Sequence, residues 1–163
     1  MYPPSPNTHY LTPNPHHLTP MYTYKYPHPA VTVDCIVFTS DDKVLLIQRK
    51  NEPCKGQWAF PGGFMNIDET AEQAVVRELA EETTIQLDET EVFQIGAYTT
   101  VDRDPRERVI TIAYFAEIEK PVKAKGSDDA SRAQWFPLDA LPPLAFDHAE
   151  ILQDAMVIRS GEC

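Results

Sequence analysis

Three glutamates, Glu78, Glu81 and Glu82, are spaced so that a helix would bring their carboxylates onto one side. At about 100° per residue, Glu82 lies about 40° from Glu78 in one direction and Glu81 about 60° from it in the other. Carboxylates this close repel one another, and a hard cation such as Mg²⁺ or Mn²⁺ relieves the repulsion while it also binds phosphate oxygens. The spacing therefore predicts a metal–phosphate site, and the alternative is an acidic helix face exposed to solvent.

The segment around these glutamates predicts the helix that would position them. From Glu69 to about Thr83 it is rich in Glu, Ala, Leu, Arg and Gln, and it contains no glycine or proline. Val75 and Leu79 fall on a separate side of this helix, where they form part of an apolar stripe that would face the core.

Five apolar segments predict strands around that helix. They are residues 30–38 and 43–49, which would form a hairpin, and residues 92–101, 109–118 and 133–136. A second helix is predicted after Pro142 and Pro143, with Asp147 as its N-cap, Glu150 in capping-box position and Gly161 beyond its end. Strands with two interspersed helices predict an α/β fold in which helices cover a mixed β-sheet.

Length and charge limit the classes of partner. The chain has 163 residues, the size of one domain, with 14 basic and 25 acidic side chains and a net charge of −11. The negative electrostatic potential of such a protein repels nucleic acid and anionic membrane surfaces, so neither is expected as a partner. No apolar run approaches the ~20 residues of a membrane span, and the first residues do not resemble a secretory signal. Three widely spaced cysteines favour free thiols, and we therefore expect a cytoplasmic location.

The N-terminal segment differs in composition from the rest. Eight of the 15 prolines and four of the five histidines fall within residues 1–29, where Lys25 is the only charged side chain. Proline at that density sustains neither a helix nor a central strand. We expect a flexible Pro/His-rich tail over residues 1–24 and a folded domain over residues 25–163, and the alternative for the clustered histidines is metal binding.

A longer pattern surrounds the three glutamates. It reads Gly63-x5-Glu69-x7-Arg77-Glu78-Leu79-x-Glu81-Glu82-x-x-Ile85 and follows Trp58-Ala-Phe-Pro-Gly-Gly63. This pattern resembles the Nudix box, and the resemblance extends over nearly all of residues 30–160. It implies a Nudix-type α/β/α sandwich with a mixed β-sheet, and an enzyme that hydrolyses a nucleoside diphosphate linked to another group.

The resemblance also implies roles for individual residues. Glu78, Glu81 and Glu82 match the family's ligands to Mg²⁺ or Mn²⁺, and the backbone carbonyl of Gly62 matches a further ligand. Glu69 and Arg77 match a structural pair that holds the preceding loop against the helix. The general base is left open between a glutamate of the box helix and an acidic residue of a later loop, where this chain has Asp128 and Asp129.

Two stretches lie outside the box: one is Asp102-Arg-Asp-Pro-Arg106 with Ile110-Thr-Ile-Ala-Tyr-Phe115, and the other is Asp128-Asp129-Ala with Trp135-Phe136 and Leu144-Ala-Phe-Asp-His148. They resemble the ADP-ribose pyrophosphatase branch and the related sensor domains of bacterial NAD-metabolism repressors. The implied substrate contacts are Arg49, Gly62, Gly63, Arg103, Asp104, Arg106, Phe146 and His148. For the loop with Arg103 and Arg106 the alternative is a charged hairpin tip in solvent, and for His148 it is a helix-end histidine without a ligand role.

The implied reaction converts ADP-ribose to AMP and ribose 5-phosphate in a homodimeric enzyme with a small-molecule substrate. The alternatives are hydrolysis of oxidised (d)NTPs and a non-catalytic ADP-ribose sensor. The chain departs from the box at Thr84, where the family has glycine, which adopts a left-handed backbone at little steric cost. We therefore expect the turn after the helix to be built differently here.

Overall fold

The computed structural model describes residues 22–125 and 130–161. Those residues form two α-helices, seven strands and one short 3-10 helix, which follows the first α-helix. The strands are β1 (Ala30–Thr39), β2 (Lys43–Arg49), β3 (Trp58–Ala59), β4 (Gly62–Phe64), β5 (Phe93–Tyr98), β6 (Val109–Ile118) and β7 (Ala130–Pro137). The helices are α1 (Ala71–Thr83) and α2 (His148–Ser160), and the 3-10 helix is Glu89–Glu91.

Strand β1 lies at the centre of a mixed sheet. It pairs in parallel with β6 along its whole length, and β6 pairs antiparallel with the edge strand β5. On its other side β1 pairs antiparallel with β4 near its start and with β2 near its end. Strand β2 in turn pairs with β3 and β7. The β1–β4 pairing matters for the site, because it places Gly62 opposite Asp34.

The two faces of β1 carry the two halves of the core. Val33, Cys35 and Val37 belong to a buried cluster that includes the apolar stripe of α1. Ile36 and Phe38 belong to a second cluster that includes α2. Successive strand side chains point to opposite faces, so a strand with apolar residues on both faces buries both. The predicted sandwich of two helical layers around a mixed sheet is thereby confirmed.

Most predicted elements are present, with shifted ends. The N-cap of α1 is Thr70, whose hydroxyl accepts a hydrogen bond from the Gln73 backbone amide, so the helix starts two residues later than predicted. Strand β7 is twice as long as expected because it pairs with the whole of β2. Of the predicted tail, residues 1–21 lie outside the described residues, and residues 22–24 are exposed. None of the helices in the described ranges has the length and hydropathy that a bilayer span requires.

The turn after α1 corrects the expectation for Thr84. The residue itself adopts the left-handed conformation, with φ of 66°, and its backbone amide donates to the Ala80 carbonyl. Thr83 supports the turn, because its hydroxyl donates to the Leu79 carbonyl and accepts the Ile85 amide. The chain thus keeps the backbone that glycine would favour and accepts the steric strain of a β-branched residue.

Replacing Thr84 by glycine is therefore expected to raise the free energy of unfolding by about 1 kcal/mol, because the strain at positive φ is removed. Urea denaturation of the two proteins measures the difference. The matched control is Gly161→Ala at the end of α2, where φ is 72° and no atom lies near the added methyl group. That variant should lose stability, and a Thr84→Gly protein no more stable than the parent would show that the turn is unstrained.

Candidate active site

The carboxylates of Glu78 and Glu82 converge on the glycines of β4. Glu82 is 7% exposed and accepts the Gly62 backbone amide at 2.9 Å. Glu78 lies against Gly63 so closely that a methyl group on this glycine would stand 2.6 Å from the carboxyl carbon. Burial raises the pKa of Glu78, and the neighbouring Arg77 opposes that shift. Helix α1 therefore brings two of the three predicted ligands to one strand.

The third glutamate lies further out. The Glu81 side chain is 48% exposed and interacts with Arg77, whose Nη1 is 3.4 Å from a Glu81 oxygen and 2.7 Å from a Glu78 oxygen. Within the described ranges no three acidic, histidine or cysteine side chains are grouped closely enough to hold a metal ion as they stand. The Arg77 guanidinium lies between Glu78 and Glu81 and pairs with both.

The donor set nevertheless suits a hard cation. Glu78, Glu81 and Glu82 offer carboxylate oxygens, the ligands that Mg²⁺ and Mn²⁺ prefer. The absence of a side chain on Gly63 leaves the Glu78 carboxylate directly beside the β4 backbone. Asp128 and Asp129, the alternative candidates for the general base, lie outside the described residues.

Glu69 and Arg77 tie the loop before α1 to the helix. Arg77 donates from Nε to Glu69 at 2.9 Å and from Nη2 both to Glu69 and to the Phe64 carbonyl. Glu69 also accepts the Asn66 backbone amide. The guanidinium hydrogen bonds lower the pKa of Glu69 to about 2. The pair thus connects α1 with the end of β4, next to the glycines that Glu78 and Glu82 contact.

Replacing Glu69 by glutamine is expected to cost roughly 2 kcal/mol of stability at pH 7, because the ion pair with Arg77 is lost. The folded pKa of Glu69 lies below its unfolded value, so its contribution is complete above about pH 4.5 and is lost as the pH falls towards 2. Urea denaturation between pH 7 and pH 3 should show the parent and the variant converging in acid. A stability gap that does not change with pH would contradict this explanation.

A cleft opens beside the β4 glycines. It has a volume of about 230 Å³ and contains Glu82 in its wall. All eight residues predicted as substrate contacts line it: Arg49, Gly62, Gly63, Arg103, Asp104, Arg106, Phe146 and His148. They come from β2, β4, the loop between β5 and β6, and the start of α2, so the fold brings together side chains that are far apart in the chain.

The loop 99–108 builds one wall of this cleft. Its Asp104 is buried and accepts hydrogen bonds from the backbone amide, Nε and Nη2 of Arg106. The Arg106 guanidinium lies 5.3 Å from the Phe64 ring centroid, and its side chain is 42% exposed. Asp104 therefore orients Arg106 along the cleft wall.

A second guanidinium stands near the start of α2. The Arg49 group lies 4.9 Å from the Phe146 ring centroid, and its Nε donates to the Pro53 carbonyl. Phe146 has φ of 53°, a left-handed backbone that side chains rarely adopt. The cleft thus carries an arginine beside an aromatic ring on each of two walls.

The predicted capping box of α2 is wrong. Asp147 is the N-cap residue, but its side chain makes no cap hydrogen bond. Both of its oxygens instead accept from Arg103, at 2.8 Å from Nε and 2.6 Å from Nη2. Gly161, by contrast, ends the helix in the left-handed conformation, as predicted.

Sequence analysis missed a buried polar group at the floor of the cleft. Asp34 of β1 accepts the Thr111 hydroxyl at 2.6 Å, and His148 Nε2 lies 3.5 Å from its other oxygen. His148 Nδ1 accepts the Phe60 backbone amide, so the ring proton resides on Nε2. Burial lowers the pKa of His148, which keeps the ring neutral. The signal in the sequence that could have revealed this group is Asp34 itself, the one charged residue in the predicted buried strand 30–38.

The chain is similar to a known domain family and to several known proteins. A family model of the NUDIX domain matches residues 28–155. An ADP-ribose pyrophosphatase from Methanocaldococcus jannaschii is 46% identical over 136 residues, which cover 83% of this chain and 78% of that protein. An ADPR-responsive transcriptional repressor from Acinetobacter baylyi is 37% identical over 80% of this chain, which spans only 54% of the repressor. The NUDIX domain of Shewanella oneidensis NrtR, solved with ADP ribose, has a TM-score of 0.71 at 34% identity, covering 80% of this chain and 88% of that one.

Proposed function

The chain belongs to the NUDIX family and is a Nudix hydrolase, and from that premise we propose that it cleaves ADP-ribose to AMP and ribose 5-phosphate. The observation that carries the proposal is that one cleft contains the glycines beside Glu78 and Glu82 together with Arg49 and Arg106. The similarity to the archaeal ADP-ribose pyrophosphatase supports it.

We propose that Glu78, Glu81, Glu82 and the Gly62 carbonyl hold Mg²⁺ or Mn²⁺. When bound, the cation supplies positive charge that neutralises the diphosphate and stabilises the charge developing during hydrolysis. The carboxylates that converge on β4 support this assignment, since they supply only hard oxygen donors next to the cleft.

The chain's own residues bind and orient the substrate. Arg106 and Arg49 offer planar guanidinium groups, which suit bidentate contact with phosphate oxygens. They are needed because the protein carries a net charge of −11 and would otherwise repel an anionic substrate. Phe146 and the neutral His148 line the same cleft, and Phe146 offers an aromatic face.

Hydrolysis requires a water to attack one phosphorus in line with the leaving oxygen. A general base takes the proton from this water, and the candidates are a carboxylate of the box helix, Asp128 and Asp129.

A substrate panel tests the proposal. The purified chain is incubated with ADP-ribose or with an oxidised dGTP, in Mg²⁺ or Mn²⁺, and the release of AMP and of inorganic pyrophosphate is followed. We expect AMP from ADP-ribose at a rate well above pyrophosphate release. Turnover of the oxidised nucleotide with none of ADP-ribose would replace the proposed substrate.

A non-catalytic sensor of ADP-ribose is the second candidate. It is favoured by the similarity to the ADPR-responsive repressor, of which this chain spans 54%. If calorimetry detects binding of ADP-ribose but no AMP is released, the sensor hypothesis is supported and the hydrolase hypothesis is not.

Three further assignments stay predictions. The resemblance to the family implies a homodimer, which light scattering during gel filtration measures.

The two cysteines of the described part, Cys35 and Cys54, are unpaired thiols, which is compatible with the proposed cytoplasmic location. The acidic charge argues against nucleic acid and membrane partners.

A further inference from the structure

A buried ion pair joins the loop 99–108 to the start of α2. Arg103 and Asp147, 44 residues apart in the chain, form two hydrogen bonds in the parallel arrangement of a guanidinium and a carboxylate. Their side chains are 4% and 15% exposed, far less than the 42% of Arg106 in the same loop.

The start of α2 is arranged around this contact. An aspartate at an N-cap ordinarily accepts a backbone amide of the first helical turn. Asp147 leaves that bond unmade and directs both oxygens to Arg103. The residue before it, Phe146, is held with φ of 53°. Both the missing cap and the unusual backbone indicate that the pair, rather than the helix end, determines the local geometry.

The pair connects two walls of the cleft. Arg103 precedes Asp104, the residue that accepts three hydrogen bonds from Arg106. Asp147 lies between Phe146 and His148 in the chain, and both of these residues also line the cleft. A displacement of Arg103 would therefore move the backbone that orients Arg106 relative to the aromatic side chains of α2.

We propose that Arg103 is a positioning residue that acts through Asp147, and that Arg106 is the arginine of this loop that contacts the anionic substrate. The pair fixes the spacing between the loop and α2, and thereby places Arg106 for binding. The expected change in KM for ADP-ribose rests on the proposed function, whereas the expected change in the mobility of the loop 99–108 does not.

Two single variants distinguish positioning from direct contact. Arg103→Lys keeps a positive charge but loses the two-bond geometry, and Asp147→Asn leaves Arg103 in place without a charged partner. Both should raise KM for ADP-ribose by on the order of 10-fold, with kcat within about twofold of the parent. The double variant should be no worse than either single one, because both changes disrupt the same contact. If Arg103 itself touched the substrate, Arg103→Lys would raise KM well beyond the effect of Asp147→Asn, and that difference would overturn the proposal.

Amide hydrogen exchange supplies a measurement that needs no turnover. Backbone amides of residues 99–108 should exchange roughly 10-fold faster in both variants than in the parent. The control is Asp42→Asn, which removes an exposed partner of Arg159 at the other end of α2 and should change neither exchange in this loop nor KM. Unchanged exchange in Arg103→Lys and Asp147→Asn would overturn the proposal. If the parent protein does not hydrolyse ADP-ribose, the proposed function is refuted. The exchange measurement then tests by itself whether the Arg103–Asp147 pair fixes the loop.

Discussion

Replacing Glu82 by glutamine is expected to lower turnover of ADP-ribose by on the order of 100-fold or more while the fold stays intact. The carboxamide keeps an oxygen that can accept the Gly62 amide, so the contact between α1 and β4 survives. It removes the negative charge that the proposed cation requires. Steady-state kinetics measure the loss of turnover, calorimetry with Mn²⁺ alone measures the loss of cation binding, and thermal unfolding checks the fold.

The control for this change is Glu72→Gln on the same helix. Glu72 accepts the Tyr114 hydroxyl from the first turn of α1, a bond that an amide oxygen can also make. The variant should therefore match the parent in turnover and in Mn²⁺ binding. Near-normal turnover in Glu82→Gln would refute the role of this glutamate as a ligand, whatever the substrate is.

The sandwich could be predicted because its signals are local. Each face of β1 buries alternate apolar side chains, and α1 separates an apolar stripe from its glutamates within a few turns. Patterns of this kind depend only on residues that are close in the chain, so they can be recognised without knowledge of the tertiary contacts. The same holds for Gly161, whose conformational freedom alone suits a helix end.

The features that could not be predicted arise from contacts between distant segments. Local rules assign Asp147 to a capping box, but the buried guanidinium of Arg103 offers its carboxylate two stronger, charge-assisted bonds. Local rules also disfavour a left-handed Thr84, yet the hydrogen bonds of Thr83 and the packing of Ile85 hold that turn. Asp34 reads as an interruption of an apolar strand until Thr111 and His148 are brought beside it.

The two glycines of β4 should differ sharply when each is replaced by alanine. A methyl group on Gly63 would lie 2.6 Å from the Glu78 carboxyl group, the mobile end of a flexible side chain. We expect Glu78 to move aside, so that Gly63→Ala folds but loses roughly 100-fold in turnover, since a ligand displaced by about 1 Å costs that much. Kinetics and urea denaturation of the same preparation separate the two effects.

A methyl group on Gly62 meets backbone instead, at 2.1 Å from the Val33 carbonyl oxygen. That oxygen belongs to β1, and it cannot move without breaking the β1–β4 pairing. Gly62→Ala should therefore lose roughly 3 kcal/mol or more of stability. Gly96→Ala in β5, where the added methyl group meets open space, should stay within about 0.5 kcal/mol of the parent. If Gly63→Ala retained full turnover, the contact between Glu78 and β4 would have no part in catalysis, and the carboxylates of α1 would have to act from another arrangement.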